Sequence, residues 1–170
     1  MLSDEELFEL VVRTDDQNAF EALVVKYRFS AITYVTKIIK DNYYAQDLTQ
    51  NVFANIYFKR KQIGVPVSFK FYLYKALKNQ AIDWIRKNRR IEEVDIDNFT
   101  ISFEQAEPGD YVQSLKPLLK AEDYHLVILR FYYGFKFKEI AELMNISAGN
   151  ARIRCSRLKW KLRGLKNEEK

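Results

Sequence analysis

A chain of 170 residues with 48% hydrophobic and 15% aromatic side chains can build one or two packed domains and is too apolar to be disordered. Five glycines, three prolines and no sustained apolar–polar alternation point to an all-α protein, and the net charge of +5 hides a strongly uneven distribution. One cysteine, Cys155, and one histidine, His125, leave no material for a disulfide framework, a cysteine-based metal cluster or a histidine-based nucleophile, so neither metal nor cofactor is expected.

The first residues, with Asp4, Glu5, Glu6 and Glu9, are acidic where a secretion signal would be basic, and no apolar run approaches a membrane span. A cytoplasmic protein without membrane insertion is expected. Phe20, Leu23 and Tyr27 share one side of a helix that opens at Ala19, and Ile32, Val35, Ile38 and Ile39 continue it.

A second helix is predicted over 44–58, with Ala45, Leu48, Val52 and Ile56 facing inward. Its polar side carries Asp47, Gln50, Asn51, Ala54 and Asn55, few long charges and several amides, which suits a protein interface. Gly64 and Pro66 break the pattern, so Lys59, Arg60 and Lys61 are expected in a basic loop that meets nucleic acid, ahead of Ser68 as the cap of a third helix.

That third helix, over 69–89, is predicted to bury Phe69, Leu73, Leu77, Ala81 and part of Trp84 and Ile85. Its opposite stripe reads Phe71, Lys75, Lys78, Asn79, Ile82, Arg86, Arg89. Apolar groups interleaved with cations suit a single strand, because bases stack on the former while the latter track phosphates. Packing of Phe71 and Ile82 on a neighbouring helix accounts for them equally well.

Charge then divides the chain. Residues 1–58 carry a net −4, 59–90 a net +9, 91–113 a net −7 and 114–170 a net +7. The organisation expected is a first domain over 1–90, an acidic, extended linker over 91–113 and a second domain over 114–170. The linker's acids, from Glu92 to Asp110, either keep it soluble or mimic a nucleic-acid backbone and mask the basic faces.

In the second domain, 139–158 reads as a helix-turn-helix. Ile140, Ala141 and Met144 fit the inward face of a short helix, Asn145 suits a left-handed turn, Ile146 plugs the corner and Ser147 is a natural N-cap. From Ala148 an apolar stripe runs through Ala151, Cys155, Leu158, Leu162 and Leu165, which makes Cys155 a buried small hydrophobe. The outward side carries Gly149, Asn150, Ile153, Ser156, Arg157 and Trp160, flanked by Arg152, Arg154 and Lys161. Small polar residues at the start of such a helix reach base edges while guanidinium groups neutralise phosphates.

These blocks resemble the extracytoplasmic-function class of the sigma-70 family of RNA polymerase sigma factors. The segments at 16–27, Asp47-Leu-Thr-Gln-Asn-Val-Phe53 and 68–86 look like region 2, and 126–134 with 139–157 looks like region 4. The resemblance implies two small helical domains that bind core RNA polymerase and promoter DNA without catalysing a reaction. Asp47, Gln50, Asn51 and Phe53 would dock on the clamp helices of the largest subunit. Arg60, Lys61, Phe71, Lys75, Lys78, Asn79, Ile82 and Arg86 would open and hold the minus-10 element. Ser147, Gly149, Asn150, Arg152, Ile153, Arg154 and Arg157 would meet the minus-35 element, and an anti-sigma factor restrains many relatives. A stand-alone helix-turn-helix regulator is the alternative, and the basic, aromatic stripe of the first domain argues against it.

Some positions depart from the family's pattern. Asn51 stands where an acid is usual, Tyr72 where tryptophan is, and Asn145 where the turn glycine is. Asn150-Ala151 replaces Thr-Val, and because Asn can bond adenine bidentately, a different minus-35 preference is expected.

Overall fold

The computed structural model describes residues 1–88 and 114–168, the side chains of 165–168 excepted, and divides into two compact units, Met1–Glu93 and Val94–Lys170. The expected acidic linker and Arg89 lie outside the described residues. Every regular element among the described residues is helical.

The first unit packs four helices, α1 (Asp4–Thr14), α2 (Gln17–Ile39), α3 (Asn42–Ile63) and α4 (Phe69–Asn88). The sequence reading had no counterpart to α1. It starts at a reciprocal cap in which the Ser3 hydroxyl accepts the Glu6 N–H at 3.2 Å and the Glu6 carboxylate accepts the Ser3 N–H at 2.7 Å. Asp16 and Asp41 cap α2 and α3 by accepting the Ala19 and Tyr44 N–H groups at 3.1 and 3.0 Å. The start of α4 is held twice. Ser68 accepts the Phe71 N–H at 3.2 Å, as its position predicts, and Glu5 of α1 accepts the Phe69 N–H at 3.0 Å.

The core of this unit sets paired aromatic rings among aliphatic side chains. Phe8 lies 5.0 Å from Phe69, and Tyr34 meets Tyr74 edge to face at 4.9 Å, with the Tyr74 hydroxyl donating to Ser30 at 2.9 Å. Each such ring pair adds about 0.5–1.5 kcal/mol beyond its burial. The predicted inward residues of α3 (Ala45, Leu48, Val52, Ile56) and α4 (Phe69, Leu73, Leu77, Ala81, Ile85) are all buried, whereas Phe20 and Ile32 of α2 are only half-buried.

The second unit is built from shorter pieces: a 3₁₀ turn (Lys116–Leu118), α5 (Ala121–Val127), a π-helical turn (Ile128–Tyr132), α6 (Phe137–Met144) and α7 (Ala148–Glu168). In the π turn the Tyr133 N–H reaches the Ile128 carbonyl at 3.0 Å, which leaves Ile128 and Leu129 inside and Phe131 and Tyr132 outside. Gly134, at φ 72°, supplies the left-handed residue that lets the chain reverse into α6.

Candidate nucleic-acid interface

On α3, Asp47, Gln50, Asn51 and Asn55 stand exposed along one stripe, with Asn51 donating to the Asp47 carboxylate at 3.4 Å. Phe53 lies beneath the exposed stripe and lines the groove beside it. It is 5% exposed and packs against Phe20 with ring centroids 6.4 Å apart, because at 100° per residue it falls on the edge of the inward sector. Alongside the stripe runs a groove of about 290 Å³ lined by Val24, Arg28, Ile32, Gln46, Thr49, Gln50 and Phe53. The Thr49 hydroxyl is buried there without a hydrogen-bond partner among the described residues, and the sequence reading did not find this groove.

The expected basic loop is helix. α3 continues to Ile63, so only 64–68 form the connection, and its exposed apolar side chains are Val65 and Val67. Arg60 turns away from solvent: its Nε and Nη2 donate to one oxygen of Asp15 at 2.8 and 2.6 Å and its Nη1 donates to the Tyr57 carbonyl at 2.7 Å. With its guanidinium 4.3 Å from the Tyr57 ring centroid and its side chain 16% exposed, Arg60 ties α3 to the end of α1. Lys61 reaches the other Asp15 oxygen at 3.3 Å and stays largely exposed. Hydrogen bonds from Arg60 and then Lys61 hold the Asp15 carboxyl below its ordinary pKa.

On α4, Lys75, Asn79 and Arg86 are exposed while Phe71, Lys78 and Ile82 are half-buried. The stripe therefore exists, with its apolar members partly sunk between helices. The Lys75 ammonium lies 5.8 Å from the Phe71 ring centroid, and Arg86 lies 3.5 Å from Asp83. Burial lowers the pKa of the Lys78 amine. A smaller groove, about 130 Å³, opens between α3 and α4, lined by Val52, Asn55, Ile56, Lys59, Ile63, Tyr72, Ala76 and Gln80, another feature the sequence reading missed.

In the second unit the turn chemistry matches the sequence. Asn145 adopts φ 54° and ψ 46°, the Ile146 N–H returns to the Ala141 carbonyl at 2.9 Å, and Ser147 accepts the Asn150 N–H at 3.0 Å. Leu143 rather than Met144 joins Ile140 and Ala141 in the core, and Ile146 is half-buried. Ala151, Cys155 and Leu158 seat α7, Ala148 and Leu162 are half-buried, and Leu165 lies outside the described side chains.

Gly149, Asn150, Arg152, Ile153 and Arg157 face solvent, as does Ser147 apart from its cap bond. Arg154 does not. Its Nη2 lies 2.7 Å from Glu122 and 3.3 Å from Asp123, and its side chain is 24% exposed. The Phe137 ring has Arg130 at 4.6 Å and Arg152 at 5.9 Å from its centroid, and Arg130 also donates to the Phe135 carbonyl at 2.8 Å. Trp160, 81% exposed, extends the outward face beyond Ile153.

His125 and Cys155 are both buried, and the described residues contain no group of three or more His, Cys, Asp or Glu side chains that could hold a metal ion. No helix among the described residues is long and apolar enough to cross a membrane.

Comparison with known proteins converges on one family. Residues 23–91 match the family model Sigma-70 region 2, and residues 111–162 match Sigma-70, region 4. Over 163 residues the chain is 28% identical to the RNA polymerase sigma factor CarQ of Myxococcus xanthus, covering 92% of this chain and 94% of that protein. It is 25% identical to the ECF RNA polymerase sigma factor SigW of Bacillus subtilis (89% and 91% covered) and 25% identical to SigM of the same organism (83% and 91% covered). Two family matches in sequence order, on two helical units of which the second ends in a capped recognition helix, place this chain in the sigma-70 family as an extracytoplasmic-function sigma factor, a non-enzymatic subunit that directs RNA polymerase to promoters.

Proposed function

We propose a division of labour among three faces. The α3 stripe of Asp47, Gln50 and Asn51, with the groove beside it, docks on the clamp helices of the largest polymerase subunit. The α4 stripe of Lys75, Lys78, Asn79 and Arg86, with Phe71 and Ile82, holds the separated strand of the minus-10 element, and the largely exposed Lys61 of α3 adds a further cation. The face of α7 bearing Gly149, Asn150, Arg152, Ile153 and Arg157 enters the major groove at minus-35. The work takes place where the chromosome is, in the cytoplasm.

The observation that carries this reading is the α4 stripe. Exposed Lys75 and Arg86 and half-buried Lys78 alternate there with the half-sunk Phe71 and Ile82, which offer a base a stacking surface without leaving a large apolar patch in water. Reversing charge at Lys75, Lys78 and Arg86 to Glu is expected to abolish promoter opening, read by permanganate reactivity of unpaired thymines, while holoenzyme still assembles on a sizing column. Equal loss of assembly would overturn the division.

An anti-sigma factor is a further partner in this reading. The exposed Val25 and Phe29 of α2 offer it an apolar surface. Protection of these two residues from oxidative footprinting by a co-purifying protein tests it.

A further inference from the structure

We propose that Arg154 is a positioning residue that fixes the rotation of the recognition helix through Glu122 and Asp123, and that it makes no contact with DNA; the proposal rests on the reading that α7 occupies the major groove. The geometry begins with helical phase. At 100° per residue Arg154 lies about 60° from Ala151 and so on the shoulder of the inward face, whereas Ile153 and Gly149 lie roughly 160–200° away. Its stem must run back over its own domain, where its Nη2 meets Glu122 at 2.7 Å and Asp123 at 3.3 Å.

Both acids belong to the first turn of α5. Carboxylates there also offset the exposed N–H groups of the helix start, so they are anchored independently of Arg154. A guanidinium presents a planar fork of donors, which fixes direction as well as distance.

Why α7 needs this restraint follows from its seat. Among the described residues, the fully buried members of the stripe that packs it are Ala151, Cys155 and Leu158, two of them small, with Ala148 and Leu162 half-buried beside them. Small side chains interlock poorly and resist rotation about the helix axis weakly. A rotation of about 20° would swing side-chain tips on the outward face, some 5–6 Å from the axis, through about 2 Å, which is enough to break a bidentate hydrogen bond to a base. On the opposite shoulder Arg152 leans on the Phe137 ring at 5.9 Å, so α7 is braced from both sides, by an ion pair to α5 and a cation–π contact to α6.

Charge accounting and positioning predict opposite outcomes. Neutralising two acids on a DNA-binding face should tighten binding generally, because fewer negative charges repel phosphate. If Glu122 and Asp123 orient α7, neutralising them should cost discrimination.

The test uses full-length protein in holoenzyme and duplexes that wild-type holoenzyme selects from a library randomised over the minus-35 element. Binding to selected and scrambled duplexes is titrated at several salt concentrations for wild type, Glu122→Gln/Asp123→Asn, Arg154→Gln and Arg154→Lys. The expected result is that the selected-to-scrambled ratio falls about tenfold in the double variant and in Arg154→Gln, with partial recovery in Arg154→Lys, while the salt slope of Arg154→Gln stays at the wild-type value.

A double variant that binds more tightly with an unchanged ratio overturns the proposal. So does a salt slope lowered by about 1 in Arg154→Gln, the signature of a lost phosphate contact. If wild-type holoenzyme selects no minus-35 sequence at all, the groove reading itself falls and the proposal with it. An unchanged ratio in the variants against a clear wild-type preference removes the proposal alone.

Discussion

The two helices offered to DNA, α4 in the first unit and α7 in the second, are similarly basic and are supported in different ways. α4 is seated by Phe69, Leu73, Tyr74, Leu77 and Ile85, large side chains that interlock with those of three other helices, together with the small Ala81. Among its described side chains, α7 buries Ala151, Cys155 and Leu158 and half-buries Ala148 and Leu162. Where apolar packing is deep it fixes a helix's orientation, and α4 keeps Lys75 and Arg86 exposed on its outward face. Where packing is thin, a charged side chain is withdrawn to hold the helix, and Arg154 shows the result.

Truncating the deep core should give the largest effect. Phe69→Ala removes a fully buried ring that touches Phe8 and Tyr27, and should destabilise the first unit by about 3–5 kcal/mol. Each unit carries one tryptophan, Trp84 in the first and Trp160 in the second, so urea unfolding followed by fluorescence in a Trp160→Phe background isolates the first. An unmoved midpoint would show that packing at Phe69 does not set the stability of the α4 seat.

The same core tolerates a buried amine. Lys37 is 4% exposed, and desolvation lowers its pKa from 10.5 to about 8, with a smaller contribution from Lys40. Below pH 8 the lysine is protonated in both folded and unfolded chains, so the folded state carries the whole cost. Between 8 and 10.5 the unfolded chain binds more protons, and stability rises with pH. Lys37→Met should therefore stabilise the first unit by about 1–3 kcal/mol at pH 7, and its advantage should shrink as pH approaches 10.5. A pH-independent difference would mean that the amine is not desolvated.

At the thin end of the comparison, Ser147→Ala removes the cap of α7 and should cost about 1 kcal/mol. Faster amide hydrogen exchange over 148–152, with 69–75 unchanged, is the expected readout. Exchange unchanged in both segments would show that the cap does not limit fraying of the recognition helix.

Much of this was legible in the sequence because apolar period and cap chemistry are local. The inward faces of α3 and α4, the Asn145 turn, the Ser68 and Ser147 caps and the buried Cys155 all follow from residues within a few positions of one another. The missed helix α1 was legible too: Ser3 and Glu6 form a capping box just ahead of Leu7, Phe8 and Val11. The fates of Arg60 and Arg154 were only half legible. Helical phase puts both on the shoulder of an inward face, but their partners, Asp15 and the Glu122–Asp123 pair, lie 45 and about 30 residues away in the chain, beyond the reach of local pattern. Phe53 was half legible in another way: its phase puts it on the edge of the inward sector, where it is buried and still lines the groove beside the α3 stripe.

Those two arginines also give the sharpest form of the comparison. Asp15 is exposed, so Asp15→Asn should lower the melting temperature only slightly, and less so as salt rises. Because Arg60 and Lys61 hold the Asp15 carboxyl below its ordinary pKa, its contribution is present above the unfolded-chain value near 4 and is lost as pH falls through the lower folded value. The melting difference between wild type and Asp15→Asn should accordingly be flat from pH 7 to 5 and vanish in stronger acid; a difference that persisted there would assign it to something other than the ion pair. For nucleic acid the sign should invert relative to the second unit. Arg60 ties α1 to α3, outside the α4 stripe, so releasing it adds a mobile cation and should tighten binding to single-stranded DNA of any sequence. Releasing Arg154 frees a cation too, but also loosens the helix that carries the reading face, and discrimination should fall. If both releases tightened binding alike, the orientation of α7 would not depend on its ion pair, and thin packing would be enough to hold a recognition helix.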